Sequence, residues 1–288
     1  MPDQAAVAIV TGASRGAGRG IAIALGSHGC TVYVTARTVN PGDHPLPGTV
    51  METAQAVSEA GGSGIAVPCD HADDSAVAAL FERVLDERGR IDILVNNAAL
   101  IHDENNMPGN FWEKPLKLAD LLDVGIRSGY VASWHAARAM VRQDHGMIVF
   151  TSASGAAHYS MGPTYGAHKA AMDKMAHDFA VDFRDGGANV CAFSIWMGAL
   201  ATERLLAMIE ADPDKFGHLR DHLETPEFTG HLIWALHADP QMLELSGRTF
   251  IGAELGARYG ILDQGRCPAS CRDTQGVAPF DYYPLIIR

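Results

Sequence analysis

The amino-acid sequence predicts an α/β fold, a single domain with a three-layer architecture in which a doubly wound parallel sheet lies between two layers of helices. Short runs of β-branched and other apolar residues alternate with longer alanine-rich stretches, a pattern that is typical of βαβ units. The chain has 288 residues, of which 47% are hydrophobic and 19% are charged. This composition favours one large core and argues against a disordered or collagen-like chain.

The apolar runs predict the strands, and there are enough of them for one doubly wound sheet. The predicted strands lie at residues 6–11, 31–36, 64–68, 91–96, 147–151 and 189–195, with a further one at 248–252. Between the strands, apolar residues recur three and four positions apart, which predicts helices. The predicted helices lie at residues 17–27, 50–60, 75–87, 116–142 and 164–183.

Three stretches do not follow this alternation. Residues 102–115 and 199–224 follow the carboxyl ends of strands, where open α/β sheets bind their ligands. We expect both to be substrate loops, with simple surface insertions as the alternative. Residues 266–288 form an irregular tail with too many apolar side chains to be left in water, so we expect it to pack on its own domain or on a partner subunit. The domain itself is predicted to span residues 1–265.

The charge and the cysteine count exclude several classes of protein. A net charge of −12 and a pI near 5.4 argue against nucleic-acid binding. No apolar stretch reaches membrane-spanning length. Five cysteines are few and odd in number, which favours a reduced, cytoplasmic setting over a disulfide framework. The 13 histidines show no ligand spacing with carboxylates, so we expect no metal site.

A glycine-rich turn, TGASRGAG at residues 11–18, joins the first strand to the first helix. Glycine lets the backbone turn tightly and lets phosphates approach, while the helix N-terminus offers free N–H groups. Such turns also occur for steric reasons alone, but the position after the first strand favours a dinucleotide site. The candidate cofactor contacts in this turn are Gly12, Ser14, Arg15, Gly16, Ala17 and Gly18.

The end of the second strand carries Arg37, where an NAD site usually carries Asp or Glu. Arg37 and Arg15 together could neutralise a 2′-phosphate, because guanidinium groups match phosphate geometry. The sequence therefore predicts NADP(H), with NADPH preferred over NADH. The alternative is that either arginine is solvated surface.

Two further loops carry candidate adenosine contacts. Asp70, after the third strand, could accept a hydrogen bond from the adenine amino group or could simply cap the next helix. Asn97 and Ala98, in the run NNAA that ends the fourth strand, are small or amide side chains that suit close approach to adenosine. Each is ordinary loop chemistry alone, but their order along the sheet supports a cofactor site.

The candidate catalytic residues are Ser152, Tyr165 and Lys169. Tyr165 and Lys169 are four positions apart on a predicted helix, so both lie on one face, and Ser152 ends the fifth strand. A phenol has a pKa near 10, so proton transfer at neutral pH requires nearby positive charge, which Lys169 would supply. Ser152 could then hydrogen-bond the substrate oxygen while Tyr165 acts as general acid/base.

Together these motifs resemble the short-chain dehydrogenase/reductase (SDR) family: TGxxxGxG, NNA, a serine, YxxxK and a GxxxT element at Gly198 and Thr202 stand in register over about nine tenths of the chain. The resemblance implies a single Rossmann domain in which Lys169 also holds the nicotinamide ribose. It places Gly198 and Thr202 among the cofactor contacts. Segments at 111–113, 123–130, 245–248 and 257–260 resemble more narrowly the SDR family member one group, regarded as NADPH-linked carbonyl reductases of loosely defined substrate range.

The chain departs from the wider family at three positions. Gly125 stands where many members carry an active-site Asn, although the narrower group also has Gly there, and the backbone carbonyl is retained. Met197 replaces the proline before Gly198, so the loop loses a fixed φ angle. Ala99 adds a methyl group beside the adenosine ribose. We expect small costs rather than loss of cofactor binding.

The sequence-based hypothesis is an oxidoreductase that acts on a carbonyl or a secondary alcohol. His158, Tyr159, Met161 and Trp196 could line a pocket for a hydrophobic substrate, or could be loop and core residues. The alternative function is a dinucleotide-binding protein with little turnover, a sensor or scaffold. Enoyl reduction or epimerisation is a third possibility. The family analogy implies a homodimer or homotetramer built from the helices predicted at 116–142 and 164–183.

Overall fold

A computed structural model describes residues 5–287 of the chain. Its centre is a parallel sheet with the strand order β3-β2-β1-β4-β5-β6-β7. In the middle of the sheet, Ile9 of β1 pairs with Tyr33 of β2 on one side and with Leu94 of β4 on the other. The strands are β1 Val7–Thr11, β2 Thr31–Ala36, β3 Ser63–Pro68, β4 Ile93–Asn96, β5 Gly146–Ser152, β6 Val190–Trp196 and β7 Thr249–Ile251.

Helices cover both faces of the sheet. The α-helices are α1 Gly16–Ser27, α2 Val50–Glu59, α3 Asp74–Arg88, α4 Ser128–Gln143, α5 Pro163–Asp185, α6 Glu203–Ala211, α7 Pro213–Phe216, α8 Pro226–Ala238, α9 Met242–Leu245, α10 Gly252–Tyr259 and α11 Cys271–Gln275. Short 3₁₀ turns lie at Asp103–Asn106, Phe111–Glu113, Leu116–Ala119, Ser154–Ala156 and Gly217–His222, and a π-helical segment lies at Leu122–Arg127. None of the helices within residues 5–287 combines the length and apolarity that crossing a membrane requires.

The two faces of the sheet form two separate cores, as alternation along each strand requires. On β1, Ala8 and Val10 join one core together with α1 and α8. Val7 and Ile9 face the other way and join the core under α3, α4 and α5. These observations confirm the predicted three-layer, doubly wound Rossmann architecture.

The strand order reverses between β1 and β4, which are neighbours in the sheet but not in sequence. The chain runs outward from β1 to β3 and then crosses back to β4. A crevice opens at such a switch point, outside the carboxyl ends of the strands. This topology brings the loops after β1, β2, β3 and β4 to one edge of the sheet.

The prediction of one continuous helix at residues 116–142 is wrong. The backbone leaves helical geometry at Val124 (φ −97°, ψ 79°) and Gly125 (φ 166°, ψ −81°), and regular helix resumes only at Ser128. The Val124 carbonyl is turned out to accept a hydrogen bond from the Leu100 amide at 2.9 Å. A contact with the loop after β4 has replaced a bond within the helix, which periodicity alone cannot reveal.

Helix α8 was missed by the pattern analysis. It packs closely on α1, where a Cβ on Gly20 would lie 2.3 Å from the Pro226 side chain and a Cβ on Gly230 would lie 2.6 Å from Ala24. Both positions must therefore be glycine for the two helices to approach this closely. The helix begins at Pro226 inside a stretch with few charges, and its mixed pattern gives little sign of amphipathicity.

The tail has one packed part and one exposed part. Cys271 and Val277 pack against the buried side chains of Trp196 and Ile251. Further along, the rings of Tyr282 and His177 have centroids 4.7 Å apart. Most of the other large apolar side chains of the tail are exposed in the described chain, for example Tyr283 at 90%. The boundary predicted at residue 265 stays a prediction.

Candidate functional site

The candidate cofactor residues meet in one cleft of about 300 Å³ at the switch point between β1 and β4. Segments that are far apart in sequence contribute to its walls, as the parallel topology requires. The predicted residues that line it are Gly12, Ser14, Arg15, Gly16, Ala17, Gly18, Arg37, Asp70, Asn97, Ala98 and Thr202. Gly198 lies behind this cleft, next to Glu224.

The glycine turn is held in place by close backbone packing. Gly12 has a φ of +63°, and a Cβ on it would lie 2.8 Å from the Ala98 Cα. A Cβ on Gly18 would lie 2.5 Å from the Asn97 side-chain nitrogen. Glycine is therefore required at both positions by sterics, independently of any ligand.

Asn97 holds the glycine-rich turn in place through hydrogen bonds. Its side-chain amide donates to the Thr11 carbonyl at 2.9 Å and to the Gly12 carbonyl at 3.2 Å. The backbone amides of Asn97 and Ala98 both donate to the Thr11 hydroxyl at 2.9 Å. Asn97 and Ala98 thus fix the shape of the cleft, and their predicted contact with adenosine stays a prediction.

Three arginines gather at the outer end of the cleft. Arg15 donates to the Pro47 carbonyl at 3.0 Å and to the Gly48 carbonyl at 2.8 Å, so the loop after β2 holds its guanidinium. Arg37 is exposed and lines the same cleft. Arg204, which the sequence analysis did not single out, is the third.

These positive charges act on one another. Partial burial lowers the pKa of Arg15, Glu203 opposes this, and the charges of Arg204 and Arg37 add to the lowering. Arg204 also forms an ion pair with Asp103 at 2.6 Å, which joins the two predicted substrate loops. The cleft therefore gathers three guanidinium groups, two of which have carboxylates close to them: Glu203 near Arg15 and Asp103 paired with Arg204.

A carboxylate of the chain itself rests on the glycine turn. Oε2 of Glu203, the first residue of α6, accepts a hydrogen bond from the Gly16 amide at 3.0 Å. Gly16 begins α1, so this amide is one of the free donors at the helix N-terminus. The turn can therefore bind an oxyanion.

The side chains of two other predicted cofactor residues form local hydrogen bonds. Asp70 accepts from the Ala72 amide at 3.0 Å, but the residue that caps α3 is Asp73, so the capping alternative for Asp70 is wrong. The Thr202 hydroxyl caps α6 by accepting from the Leu205 amide at 3.3 Å. Both residues still line the cleft, and their contacts with a cofactor stay predictions.

The second part of the site lies at the carboxyl end of β5, where α5 brings Tyr165 and Lys169 onto one face. The Lys169 Nζ lies 5.5 Å from the centre of the Tyr165 ring and donates to the Thr151 carbonyl at 3.1 Å. Lys169 is 5% exposed, and burial lowers its pKa to about 8, against the opposing influence of Asp173. Burial raises the pKa of Tyr165 to about 12.

Ser152 is fully buried at the end of β5. Its hydroxyl donates to the backbone carbonyl of Lys169 at 3.1 Å, and Ser152 also lowers the pKa of the nearby Asp173 carboxyl group. The three predicted catalytic residues are thus brought together, but the Ser152 hydroxyl faces helix α5. Its contact with a substrate oxygen stays a prediction.

Of the two alternatives for Trp196, a pocket residue or a core residue, the structure supports the core residue. Trp196 is 1% exposed, and its indole nitrogen donates to the Asp173 carboxylate at 2.7 Å. An aromatic residue at the end of a strand predicts a pocket and a core position equally well. The one available signal was Asp173 itself, an acidic residue four positions after Lys169 on an otherwise buried helix face.

The other proposed pocket residues differ in exposure. Tyr159 is largely exposed, and the His158 ring hydrogen-bonds to the Ser154 hydroxyl at 3.1 Å. Met161 is half-buried, and its φ is +54°. Their contact with a substrate stays a prediction.

The departure at Gly125 has a structural counterpart in His168. A Cβ on Gly125 would lie 3.0 Å from the His168 ring, so the imidazole fills the space that a side chain at 125 would need. His168 is buried, and burial together with the charge of Lys169 lowers its pKa to about 2. His168 is therefore a neutral packing residue.

Glu224 is a buried acidic residue that the sequence analysis did not identify. It accepts a hydrogen bond from the Gly198 amide at 3.1 Å. Burial raises its pKa to about 7, the Gly198 bond opposes this, and the charge of Asp263 adds to the rise. The loop after β6 thus rests on a carboxyl group that titrates near neutral pH.

Comparisons with known proteins agree with this geometry. Residues 6–210 match the family model described as short chain dehydrogenase. The chain is 38% identical over 276 residues to Dehydrogenase/reductase SDR family member 1 of Homo sapiens, with 91% of this chain and 84% of that protein covered. The Mus musculus protein of the same name is 37% identical with the same coverage. A solved short chain dehydrogenase from Mycobacterium thermoresistibile superposes with a TM-score of 0.74 at 26% identity, covering 92% of each chain.

Proposed function

The chain belongs to the short-chain dehydrogenase family, and we propose that it transfers a hydride between NADP(H) and a carbonyl or secondary-alcohol substrate, with Tyr165 as general acid/base. The family supports an oxidoreductase that uses a nicotinamide dinucleotide. The observations that carry the finer proposal are the pairing of half-buried Tyr165 with buried Lys169 on α5 and the cleft lined by three arginines.

The residues of the cleft fit a dinucleotide. The Gly16 amide already binds an oxyanion, the Glu203 carboxylate, at the place where a diphosphate would need donors. When bound, the cofactor supplies the hydride. The candidate residues that would hold it are those of the glycine turn, with Lys169 and Thr202.

The preference for NADPH is supported by charge. The end of β2 reads Val-Thr-Ala-Arg, and no carboxylate there is available for a ribose 2′-hydroxyl. Arg37 stands in its place, and Arg15 and Arg204 lie in the same cleft. Three guanidinium groups favour a 2′-phosphate over a hydroxyl, because charge-assisted bonds are about twice as strong as neutral ones.

The proposed proton transfer follows from the charge states at the site. With a pKa of about 12, Tyr165 carries its proton at neutral pH, which is the form that donates to a carbonyl oxygen as negative charge develops there. The proton leaves the phenol, and the resulting phenolate is stabilised by the positive charge of Lys169. This arrangement suits reduction of a carbonyl.

A dinucleotide-binding protein with little turnover is the second candidate. One observation favours it: the Ser152 hydroxyl donates to the backbone carbonyl of Lys169 on helix α5. If the protein is of this second kind, the cleft would bind NADPH as a sensor or scaffold without consuming it.

The experiment that tests the proposal is NADPH consumption over a panel of ketones, aldehydes and quinones, run with wild type and Tyr165→Phe and repeated with NADH. We expect turnover that is faster with NADPH and that the variant loses while still binding NADPH. Binding of NADPH by both proteins with no difference in consumption would favour the sensor or scaffold instead.

We further propose a homodimer or homotetramer. Tyr130 and Trp134 on α4 are 52% and 47% exposed, and with Phe179 of α5 they line an apolar groove of about 390 Å³. This groove lies on the helices that the sequence analysis assigned to the oligomer. Light scattering should give a multiple of 30.7 kDa for the wild type and a smaller particle for Trp134→Glu; a wild-type monomer would contradict the proposal.

The proposed setting is the reduced cytoplasm. All five cysteines are free, and Cys30, Cys69 and Cys191 are buried. A chain of this kind does not depend on an oxidising compartment.

A further inference from the structure

Asp173 continues the face of α5 that carries Tyr165 and Lys169. The three residues are four positions apart, so each lies about one helical turn, roughly 5.4 Å, beyond the last. Asp173 is 3% exposed. A carboxyl group this deeply buried needs partners, since an unpaired buried charge is strongly unfavourable.

The partners of Asp173 come from the sheet. One carboxylate oxygen accepts from the Ser194 hydroxyl at 2.6 Å and the other from the Trp196 indole N–H at 2.7 Å. Ser152, the register partner of Trp196 in the sheet, also lies near the carboxyl group and favours its ionised form. Because an indole N–H can only donate, it too favours the ionised carboxylate.

Burial favours protonated Asp173, and the donors from β5 and β6 oppose this. The remaining groups that face the carboxylate are Lys169 on its own helix and Tyr282 in the tail. The pKa of Tyr282 is raised to about 12, so that side chain is neutral. The charge that balances Asp173 is therefore that of Lys169.

Lys169 has few other electrostatic neighbours. Burial lowers the pKa of Lys169, and Asp173 is the group that raises it. On the same helix, Tyr165 and His168 are neutral near pH 7, since their pKa values are about 12 and about 2. Among the described residues of β5, the Lys169 ammonium group has one hydrogen-bond partner, the Thr151 carbonyl, to which it donates.

We infer that Asp173 is a positioning residue for the active site: held by Ser194 and Trp196, it is the buried counter-charge that keeps Lys169 protonated beside Tyr165. Its consequence for proton transfer rests on the proposed function, but its effect on Lys169 does not. No contact of Asp173 with a substrate is involved, so it acts through the lysine.

The direct test is an NMR titration of Lys169 in the full-length chain with isotope-labelled lysine side chains. The sequence has five lysines, so the signals are few, and Lys169→Arg identifies the one from Lys169. In the wild type this signal should titrate with a midpoint near 8. In Asp173→Asn the midpoint should fall by about one pH unit, as loss of a nearby opposite charge predicts.

The matched control is Asp178→Asn. Asp178 lies further along the same helix, is exposed and pairs with Lys174, so its loss should leave the Lys169 midpoint unchanged. Where Asp173→Asn does not fold, Trp196→Phe removes one of the donors that hold the carboxylate. It should move the midpoint in the same direction by a smaller amount. If Asp173→Asn folds, or Trp196→Phe in its place, and the Lys169 midpoint is the same as in the wild type, the inference is overturned.

Turnover gives a second readout. In Asp173→Asn, Lys169 should lose its proton at a lower pH than in the wild type. The positive charge that stabilises the Tyr165 phenolate is then also lost at a lower pH. The alkaline limb of the plot of kcat against pH should therefore shift to lower pH. A purely structural role would lower kcat equally at all pH values. If the wild type turns over no substrate, the proposed function fails, and the NMR titration still decides the role of Asp173.

Discussion

The two ends of the site use different physical means. At the cofactor end, backbone amides and partly exposed guanidinium groups surround an open cleft, and Arg37 reaches water. At the catalytic end, Lys169 and Asp173 are almost completely buried, and each depends on the charge of the other. Exposed charges act through modest, salt-screened energies, while buried charges decide protonation states. The first end should therefore control affinity, and the second should control the chemical step.

The strongest way to break this comparison is Lys169→Met, which keeps an unbranched side chain but removes the charge. Without positive charge near Tyr165, we expect kcat to fall by about 10² to 10⁴-fold, the usual contribution of acid–base catalysis. The Kd for NADPH should rise far less. Turnover can be followed by loss of NADPH absorbance, and Kd by fluorescence titration.

A variant that keeps turnover within a factor of about three, a loss well below that range, would contradict the role of Lys169. Tyr165→Phe is the matched comparison, since it leaves the lysine charge in place while removing the transferable proton.

Glu224 hydrogen-bonds to the loop that carries Gly198. It tests whether burial changes the protonation state of a carboxyl group in this part of the site, as it does for the buried groups at the catalytic end. Its folded-state pKa of about 7 lies above the unfolded value of 4.5, so the folded state holds the proton more tightly. The contribution of Glu224 to stability is therefore greatest below pH 4.5 and declines as the pH rises to 7. The decline corresponds to about 3 kcal/mol at 1.36 kcal/mol per pH unit.

Denaturant unfolding of wild type and Glu224→Gln at several pH values measures this effect. The difference in unfolding free energy should change in favour of the glutamine variant as the pH rises from 4.5 to 7. A constant difference would mean that the pKa of Glu224 is the same in the folded and unfolded protein.

Arg37→Ala sharpens the comparison at the cofactor end. Loss of a charge-assisted contact with a 2′-phosphate should raise the Kd for NADPH by about 10 to 30-fold, or about 1.5 to 2 kcal/mol. The Kd for NADH is the internal control and should not change. An equal rise for both cofactors would show that Arg37 acts on the common part of the dinucleotide.

The smallest effect is expected for Glu203→Gln. The Glu203 carboxylate occupies the Gly16 amide, and its negative charge opposes an incoming diphosphate. Removing about 1 kcal/mol of repulsion at a helix N-terminus should lower the Kd for NADPH by about fivefold. Isothermal titration at low salt measures it, and weaker binding by the variant would mean that Glu203 supports the turn instead.

The sequence predicted the parts of the site that depend on local spacing. Residues 12–18 form one turn, and Tyr165 and Lys169 share one helix face, so periodicity was enough to place them together. Asp173 was not recognised, because its role depends on Ser194 and Trp196 in a different strand. Arg204 was missed for the same reason, since only the folded chain brings it beside Arg15.

The errors in the fold also arise from contacts that are distant in sequence. The break at Gly125 depends on a bond from Leu100, and α8 depends on Gly20 of α1 and on its own Gly230. Patterns within one element were reliable guides, and choices that involve two elements were not.

The most direct test of the central claim is transfer of deuterium from NADPH that carries deuterium at both C4 positions of the nicotinamide, so that the label is transferred whichever face is used. With a ketone that the wild type reduces, the alcohol product should carry deuterium on the carbinol carbon, and Tyr165→Phe should yield no labelled alcohol while still binding NADPH. Oxidation of the deuterated NADPH without deuterium in the product would contradict the account, because hydride transfer to a carbonyl carbon would then not be the reaction.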